Sequence, residues 1–291
     1  VAFAVGLSIV AWSTGAVFVG RISPLELVAV LVAGAVLIVG GAVDDRLGLS
    51  PARQLIAPSI AIFLVAGVGV GISRITNPFA GGWVSIAPWM TVLFTMVWLY
   101  GTTYTTKLLD GLDGLVVGLT AIGACIIGAL SLTHAYYQPD VAVIAFVLAG
   151  ACLGFLVYNF HPASIFLGEG GSTLCGFLLG ILAIISGGKI ATVLLVLGIP
   201  ATDAAFVIVQ RLRANGSRGA CVGDRSHLHF RLLNLGLSHR GVVLLLYVIA
   251  AAFGISTLVL QAHEKLLAIG ILAIIAVTLS FIAHIRERHA H

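Results

Sequence analysis

Apolar runs long enough to cross a bilayer follow one another along almost the whole chain, and they leave few folds open. About 20 apolar residues span the hydrocarbon core as an α-helix. Runs of that order lie at about 1–20, 26–43, 55–73, 88–106, 114–135, 141–158, 172–187, 190–209, 241–261 and 266–284. The expectation is an all-α, polytopic membrane helix bundle of about ten spans, a single integral membrane domain over residues 1–291. A soluble domain would need a far more charged surface than 9% charged residues, 60% hydrophobic residues and a mean hydropathy of +1.14 can supply. Continuous runs of Val, Leu, Ile, Ala and Gly, rather than alternating segments of about ten residues, argue against a β-barrel.

Lys and Arg fall unevenly on the two sides of such a bundle. One side holds Arg46, Arg53, Lys107, Arg211, Arg213, Arg218, Arg225, Arg231, Arg240, Arg286 and Arg288; the other holds Arg21, Arg74, Lys189 and Lys265. Eleven against four puts the first set and both termini in the cytoplasm by the positive-inside rule. Asp44, Asp45, Asp110, Asp113, Glu169 and Asp224 land on that same basic side, although acids played no part in assigning it. Such a gathering at span ends suits a charged, phosphate-bearing substrate at a membrane face. A transporter would be expected to hold its carboxylates near midplane in broken helices.

Cys125, Cys152 and Cys175 sit in spans and Cys221 in a loop, with no CxxC pair, so neither a disulfide framework nor a structural zinc is indicated. Val1 begins inside an apolar run with no recognisable cleavable signal, as expected of a chain trimmed at its start. The longest polar segment, about 210–240, is a basic cytoplasmic loop in which Asp224, His227 and His229 suit a ligand better than a simple anchor.

Ionisable groups at the ends of membrane helices are costly unless they face protein, water or ligand. Asp44 and Asp45 close the second run, and adjacent carboxylates point apart, so one can reach a reacting atom while the other orients a cation or a loop. Asp110 and Asp113 stand three apart, on one face of a helix start, and Gly111 and Gly114 let a ligand approach the backbone. Gly168-Glu169-Gly170-Gly171-Ser172 opens another span. Free N–H groups at a helix start attract a diphosphate, and an acid beside them makes sense if a divalent cation bridges it to the phosphates.

Val43-Asp44-Asp45-Arg46, Lys107-Leu-Leu-Asp110-Gly-Leu-Asp113-Gly, Asn159-Phe-His-Pro162 through Phe166-Leu-Gly168-Glu169-Gly-Gly-Ser172, and Asp224-Arg-Ser-His227-Leu-His229 resemble, in order, the motifs of the polyprenyl-phosphate N-acetylhexosamine-1-phosphate transferases, glycosyltransferase family 4. The resemblance implies a helical bundle of ten or eleven spans, often a homodimer, in the bacterial cytoplasmic membrane with its active site on the inner face. It implies transfer of a sugar-1-phosphate, GlcNAc-1-phosphate by default, from a UDP-sugar to undecaprenyl or another polyprenyl phosphate, with release of UMP. No nucleic-acid partner is expected.

Carried over by position, Asp44 is the candidate base toward the lipid phosphate, with Asp45 beside it and Asp113 sharing the catalytic site. Lys107, Asp110, Gly111, Asn159, Phe166, His227, His229 and Arg231 are the substrate-binding set, Phe166 able to stack on uracil. Asp110 and Glu169 are the candidate ligands of Mg2+, or Mn2+.

Two positions depart from the family pattern: Lys107 stands where members have Asn, and Glu169 where they have Asp. Both flank the metal position, so Lys107 is expected to contact Glu169 or a substrate phosphate and partly replace a metal contact. Members also carry an additional first span and a basic Gly-rich loop that are not visible here. His227-Leu-His229 is spaced as in the N-acetylglucosamine branch. The muramyl-pentapeptide branch, the alternative, carries three consecutive histidines.

Overall fold

The computed structural model describes Gly6 and residues 22–77, 82–134, 136–187, 189–215 and 227–289, with backbone alone for 208–215 and 281–289. The rest of the run at 1–20, with Arg21, Arg218, Cys221, Asp224 and Arg225, lies outside the described residues.

Helices α1 (Pro24–Leu47), α2 (Pro51–Gln54) and α3 (Ile56–Gly67) lead into a short hairpin, β1 (Arg74–Thr76) and β2 (Trp83–Ser85). Then follow α4 (Pro88–Leu109), α5 (Leu115–Ser131), α6 (Pro139–Asn159), α7 (Gly168–Ile185), α8 (Ile190–Val196), α9 (Gly198–Asn215), α10 (Leu228–Asn234), α11 (His239–Ser256) and α12 (Ala262–His289). The strands are antiparallel, with Arg74 opposite Ser85 and Thr76 opposite Trp83. Apart from this short hairpin the regular structure of the described residues is helical, as expected of an all-α membrane protein.

The count of about ten spans is not confirmed. Among the described residues, α1, α6, α7, α11 and α12 are long and apolar enough to cross a membrane, and the bent pair α8–α9 makes a sixth. The other apolar runs fall short for separate reasons. At 12 and 17 residues, α3 and α5 rise only about 18 Å and 26 Å against a hydrocarbon core of about 30 Å. Long enough at 22 residues, α4 has its apolar run diluted by six threonines. Three of its buried threonines return their hydroxyls to the helix: Thr95 donates to Thr91 O at 2.6 Å, Thr102 to Leu99 O at 3.2 Å and Thr106 to Thr103 O at 2.9 Å. The run at 190–209 bends by 75° between Val196 and Gly198. Pro200, having no N–H, withholds the hydrogen bond that would join the two halves.

Each end of α1 is fixed locally. Ser23 and Glu26 form a capping box, with Glu26 N donating to Ser23 Oγ at 3.2 Å and Ser23 N to the Glu26 carboxylate at 2.7 Å. Gly48 stops the helix in the left-handed region, at φ 57°, and donates to Asp44 O at 2.8 Å.

The centre of the bundle is α7, packed against α1, α4 and α5 and burying Phe177, Leu179 and Leu182. It crosses α1 where two glycines meet, since a Cβ on Gly41 would lie 2.1 Å from Gly170 N. It crosses α4 at Gly176, where a Cβ would lie 2.4 Å from Thr102 O. Such crossings bring helix backbones together where no side chain fits between them. Their consequence is positional: the C-terminal ends of α1 and α4 are drawn to the N-terminus of α7.

Candidate active site

Four carboxylates and one ammonium meet at that junction. Lys107, in the last turn of α4, sets its Nζ 2.5 Å from Glu169 Oε1 and donates to Gln54 Oε1 at 2.8 Å. Gln54 in turn donates to Asp44 Oδ1 at 3.3 Å, and Leu49 N donates to the same oxygen at 2.7 Å. Asp45 accepts from Glu169 N at 3.2 Å. Asp110, just past α4, feels Glu169, Asp45 and Asp113 electrostatically. Asp44, Asp45, Lys107, Asp110 and Glu169, drawn from three distant stretches, therefore share one site.

The bond to Asp45 revises one expectation. The N–H groups opening α7 suit an anion, and one of them, that of Glu169, already donates to the Asp45 carboxylate. A helix N-terminus takes the nearest negative charge, and the Gly41–Gly170 crossing makes Asp45 the nearest.

Negative charge is in surplus here. Burial pushes the Asp110 carboxyl up to about 7; a hydrogen bond with Ser172 works against this, and Glu169, Asp45 and Asp113 add to the rise. Asp110 has surface exposure, but into a cleft walled by protein, so its charge is poorly solvated. A surplus of carboxylate oxygens short of positive charge is what a hard divalent cation or a cationic substrate group would relieve.

Asp113 is held differently. Its Oδ2 lies 2.9 Å from His161 Nδ1 and accepts from Ala163 N at 3.1 Å. Burial works to raise this carboxyl, but the two hydrogen bonds outweigh it and hold it below its usual range. The His161 ring stacks on His239 at 4.0 Å and 14°, and Arg240 Nε donates to His161 O at 2.9 Å. Ligand atoms of Asp113, His161 and His239 lie within 4.8 Å of one another, a nitrogen-rich set beside the all-oxygen one.

Asn159 joins two loops. Its Oδ1 accepts from Gly114 N at 3.0 Å and its Nδ2 donates to Ile165 O at 2.9 Å, so the amide fixes the Asp110–Gly114 turn to the 160–167 loop. On that loop Phe166 is 76% exposed, its face open to a stacking partner.

The histidine segment closes the site from the other side. His227 and His229 stack with ring centroids 5.7 Å apart and planes within 2° of parallel. Asp203 of α9 lies 3.0 Å from His227 Nδ1 and accepts from Leu228 N at 3.0 Å and from Ser280 Oγ at 3.3 Å. His229 is buried with its Nε2 directed at Gly111, where a Cβ would lie 2.9 Å away. Burial above all, then the neighbouring His227, pushes His229 down to about 4 against the pull of Asp203, so it is neutral. Arg231 donates to Ser280 O of α12 at 3.1 Å, bracing α10.

Gln54, His161, His239 and Asp203 complete the geometry. Of these only Asp203 stands out in the sequence, as an acid in an apolar run after Pro200. His161 lies inside the Asn159–Pro162 motif, but nothing local pairs it with Asp113 or with His239, which is 78 residues on.

A model described as glycosyl transferase family 4 matches residues 27–187. A probable undecaprenyl-phosphate N-acetylglucosaminyl 1-phosphate transferase of Bacillus subtilis is 33% identical over 273 residues, 91% of this chain and 75% of its own length. A decaprenyl-phosphate N-acetylglucosaminephosphotransferase of Mycolicibacterium smegmatis is 34% identical, over 89% of this chain and 70% of its own. A phospho-N-acetylmuramoyl-pentapeptide-transferase of Moorella thermoacetica is 38% identical over a shorter stretch, 66% of this chain.

Proposed function

We propose, from the premise that this chain belongs to glycosyl transferase family 4, that it transfers N-acetylglucosamine-1-phosphate from its UDP-sugar to a polyprenyl phosphate, leaving UMP. The observation that carries this reading is the meeting of Asp44, Asp45, Lys107, Asp110 and Glu169 in one cleft at the ends of α1, α4 and α7. Relatives of the N-acetylglucosamine kind align with more of the chain than the pentapeptide transferase does, and the spacing of His227 and His229 agrees.

Phosphoryl transfer asks mainly for charge neutralisation and in-line positioning. An oxygen of the lipid phosphate attacks the sugar-bearing phosphorus of the UDP-sugar. The bond to the bridging oxygen breaks, and its electron pair leaves with UMP. Asp44, with Oδ1 held by Leu49 N and Gln54, takes any proton remaining on the acceptor phosphate. Lys107 offsets charge on the diphosphate, with Gln54 and Glu169 fixing its ammonium. Phe166 offers its exposed ring to uracil, and His161, oriented by Asp113 and stacked on His239, supports the donor end.

The all-oxygen donor set of Asp110 and Glu169 fits Mg2+ or Mn2+, with Lys107 already holding one Glu169 oxygen. Bound there, the ion would neutralise negative charge on the diphosphate. The excess of Lys and Arg on this side supports placing the site at the cytoplasmic face, and the bacterial relatives support an inner membrane.

The test is UMP release by purified chain given undecaprenyl phosphate and a panel of UDP-sugars. One UDP-amino sugar supporting release is the expected result. Release with none of them, or only with the muramyl-pentapeptide donor, sinks the assignment.

A further inference from the structure

Asp113, His161 and His239 come from three separate stretches of chain, and each is fixed at the backbone where the side chains meet. Asn159 ties the Asp113 turn to the loop that carries His161. Arg240 Nε donates to His161 O at 2.9 Å, and Ser238 Oγ, accepting from Gly241 N at 3.1 Å, caps α11 with His239 as its first residue. The three side chains bring two imidazoles and a carboxylate together, with ligand atoms within 4.8 Å of one another. The His239 ring hydrogen-bonds the Asp113 backbone. Its Nε2 is shielded from solvent and has no hydrogen-bond partner among the described residues.

We infer that Asp113, His161 and His239 form a binding site for a borderline transition-metal ion, Zn2+ above all, separate from the oxygen donors Asp110 and Glu169. Two imidazoles and a carboxylate are a zinc donor set, whereas Mg2+ takes oxygen and keeps its waters. A metal-binding imidazole is held through its other nitrogen by a backbone or carboxylate group, and ligating carboxylates are themselves hydrogen-bonded. His239 is held by the Asp113 backbone, and the Asp113 carboxylate by Ala163 N. Asp113 Oδ2 and His161 Nδ1, at 2.9 Å, already approach the edge of about 3.3 Å that metal–ligand bonds of about 2.0 Å give a tetrahedron. The ion takes the place of the proton between these two atoms, and His161 carries its proton on Nε2. His239, stacked on His161 at 4.0 Å, tilts out of that stack to aim its unpaired nitrogen at the same point. Water fills the fourth position. A bound ion therefore pins the Asp113 turn and the 160–167 loop to the start of α11.

The test is a Co2+ titration of the untagged full chain in detergent, cleared of metal by a chelator and given no substrate. One equivalent is expected to give the intense visible bands of four-coordinate Co2+, abolished by Zn2+ and untouched by about a hundredfold excess of Mg2+. His239→Phe keeps a ring against His161 but removes the nitrogen, and should weaken Co2+ binding about a hundredfold. His229→Gln, in the other histidine cluster, and His289→Gln with His291→Gln, near the C-terminal end, should keep the bands. Bands of six-coordinate Co2+ alone, displacement by Mg2+, bands undiminished in His239→Phe or bands lost in either control overturns the inference. X-ray absorption of the Zn2+-loaded native chain is the second measurement, and it does not depend on how well a variant folds. Two imidazoles among four nitrogen and oxygen ligands are expected, and one or none overturns the site. Since no substrate is present, failure to bind Co2+ counts against this site alone, and failure to release UMP counts against the proposed reaction alone.

Discussion

Two clusters of ionisable residues flank the Asp110–Gly114 turn, and they handle charge in opposite ways. In the cleft, Asp44, Asp45, Asp110 and Glu169 gather around the single ammonium of Lys107, and Asp110 is pushed up to about 7 by burial and by its neighbours. In the histidine cluster, Asp203 is satisfied by His227, Leu228 N and Ser280, and His229 is kept neutral by burial. A charge with all its partners in place holds structure, whereas an uncompensated cluster stores the capacity to bind. The comparison assigns chemistry to the cleft and support to the histidine cluster, and it can be broken by experiment.

The largest effect is expected at Asp44. Asp44→Asn keeps the shape but loses the proton acceptor, and kcat should fall about a thousandfold, within the range of a general base, while nucleotide binding and melting temperature stay near native. Full turnover in that variant would remove Asp44 from the reaction. Asp203→Ala should act on the other axis. It strips His227 and Leu228 N of a buried anionic partner, at a cost of about 3 kcal/mol of stability, read as a lowered midpoint in thermal unfolding in detergent. A variant as stable as native would show that the histidine cluster is not a support.

The buried His229 gives that support a pH signature. Its folded value of about 4 lies below the ordinary 6.5, so the unfolded chain binds the proton first as pH falls. Its contribution, on the order of 3 kcal/mol, should be fully present above about pH 6.5 and shrink as pH drops toward 4. His229→Gln should flatten the stability profile across that window. A profile unchanged by the substitution would contradict the neutral, buried state.

Lys107→Gln sharpens the contrast from the cleft side. Removing the one ammonium should tighten Mn2+ binding about tenfold, by relief of charge repulsion, measured by titration calorimetry without substrate. An unaltered affinity would mean that Lys107 and a cation do not compete for Glu169. The smallest effect is expected at Phe166, where Phe166→Ala should raise KM for the UDP-sugar about fivefold, as loss of one base–aromatic stack does, and leave KM for the lipid unmoved.

The legible part of this molecule is the part that repeats or is strictly local. Continuous apolar runs announce a membrane bundle, and the capping box at Ser23–Glu26 and the stop at Gly48 follow from neighbouring residues. The number of crossing helices was less legible. Six threonines thin out α4, and Pro200 breaks the run at 190–209 into two helices at 75°. An apolar run reports composition, but not whether it stays straight.

In the site, acid and base clusters at span ends were visible as candidates because charge at a membrane boundary is expensive. Their partners were not. Asp45 caps α7 across 124 residues, Lys107 reaches Gln54 across 53 and Asp113 meets His161 across 48. No local spacing encodes such pairs, since they depend on how closely two helices cross, and that closeness is set by Gly41 against Gly170 and Gly176 against Thr102.

The sequence alone determined that this chain lives in a bilayer and which residue types crowd its charged span ends, because hydrophobic length and the cost of burying charge act locally. Only the tertiary structure decided that Lys107 pairs with Glu169, that Asp45 accepts from Glu169 N at the start of α7, and that a groove between α1 and α3 ends at Asp44. Those outcomes follow from backbone crossings, where missing side chains let helices approach until distant residues touch.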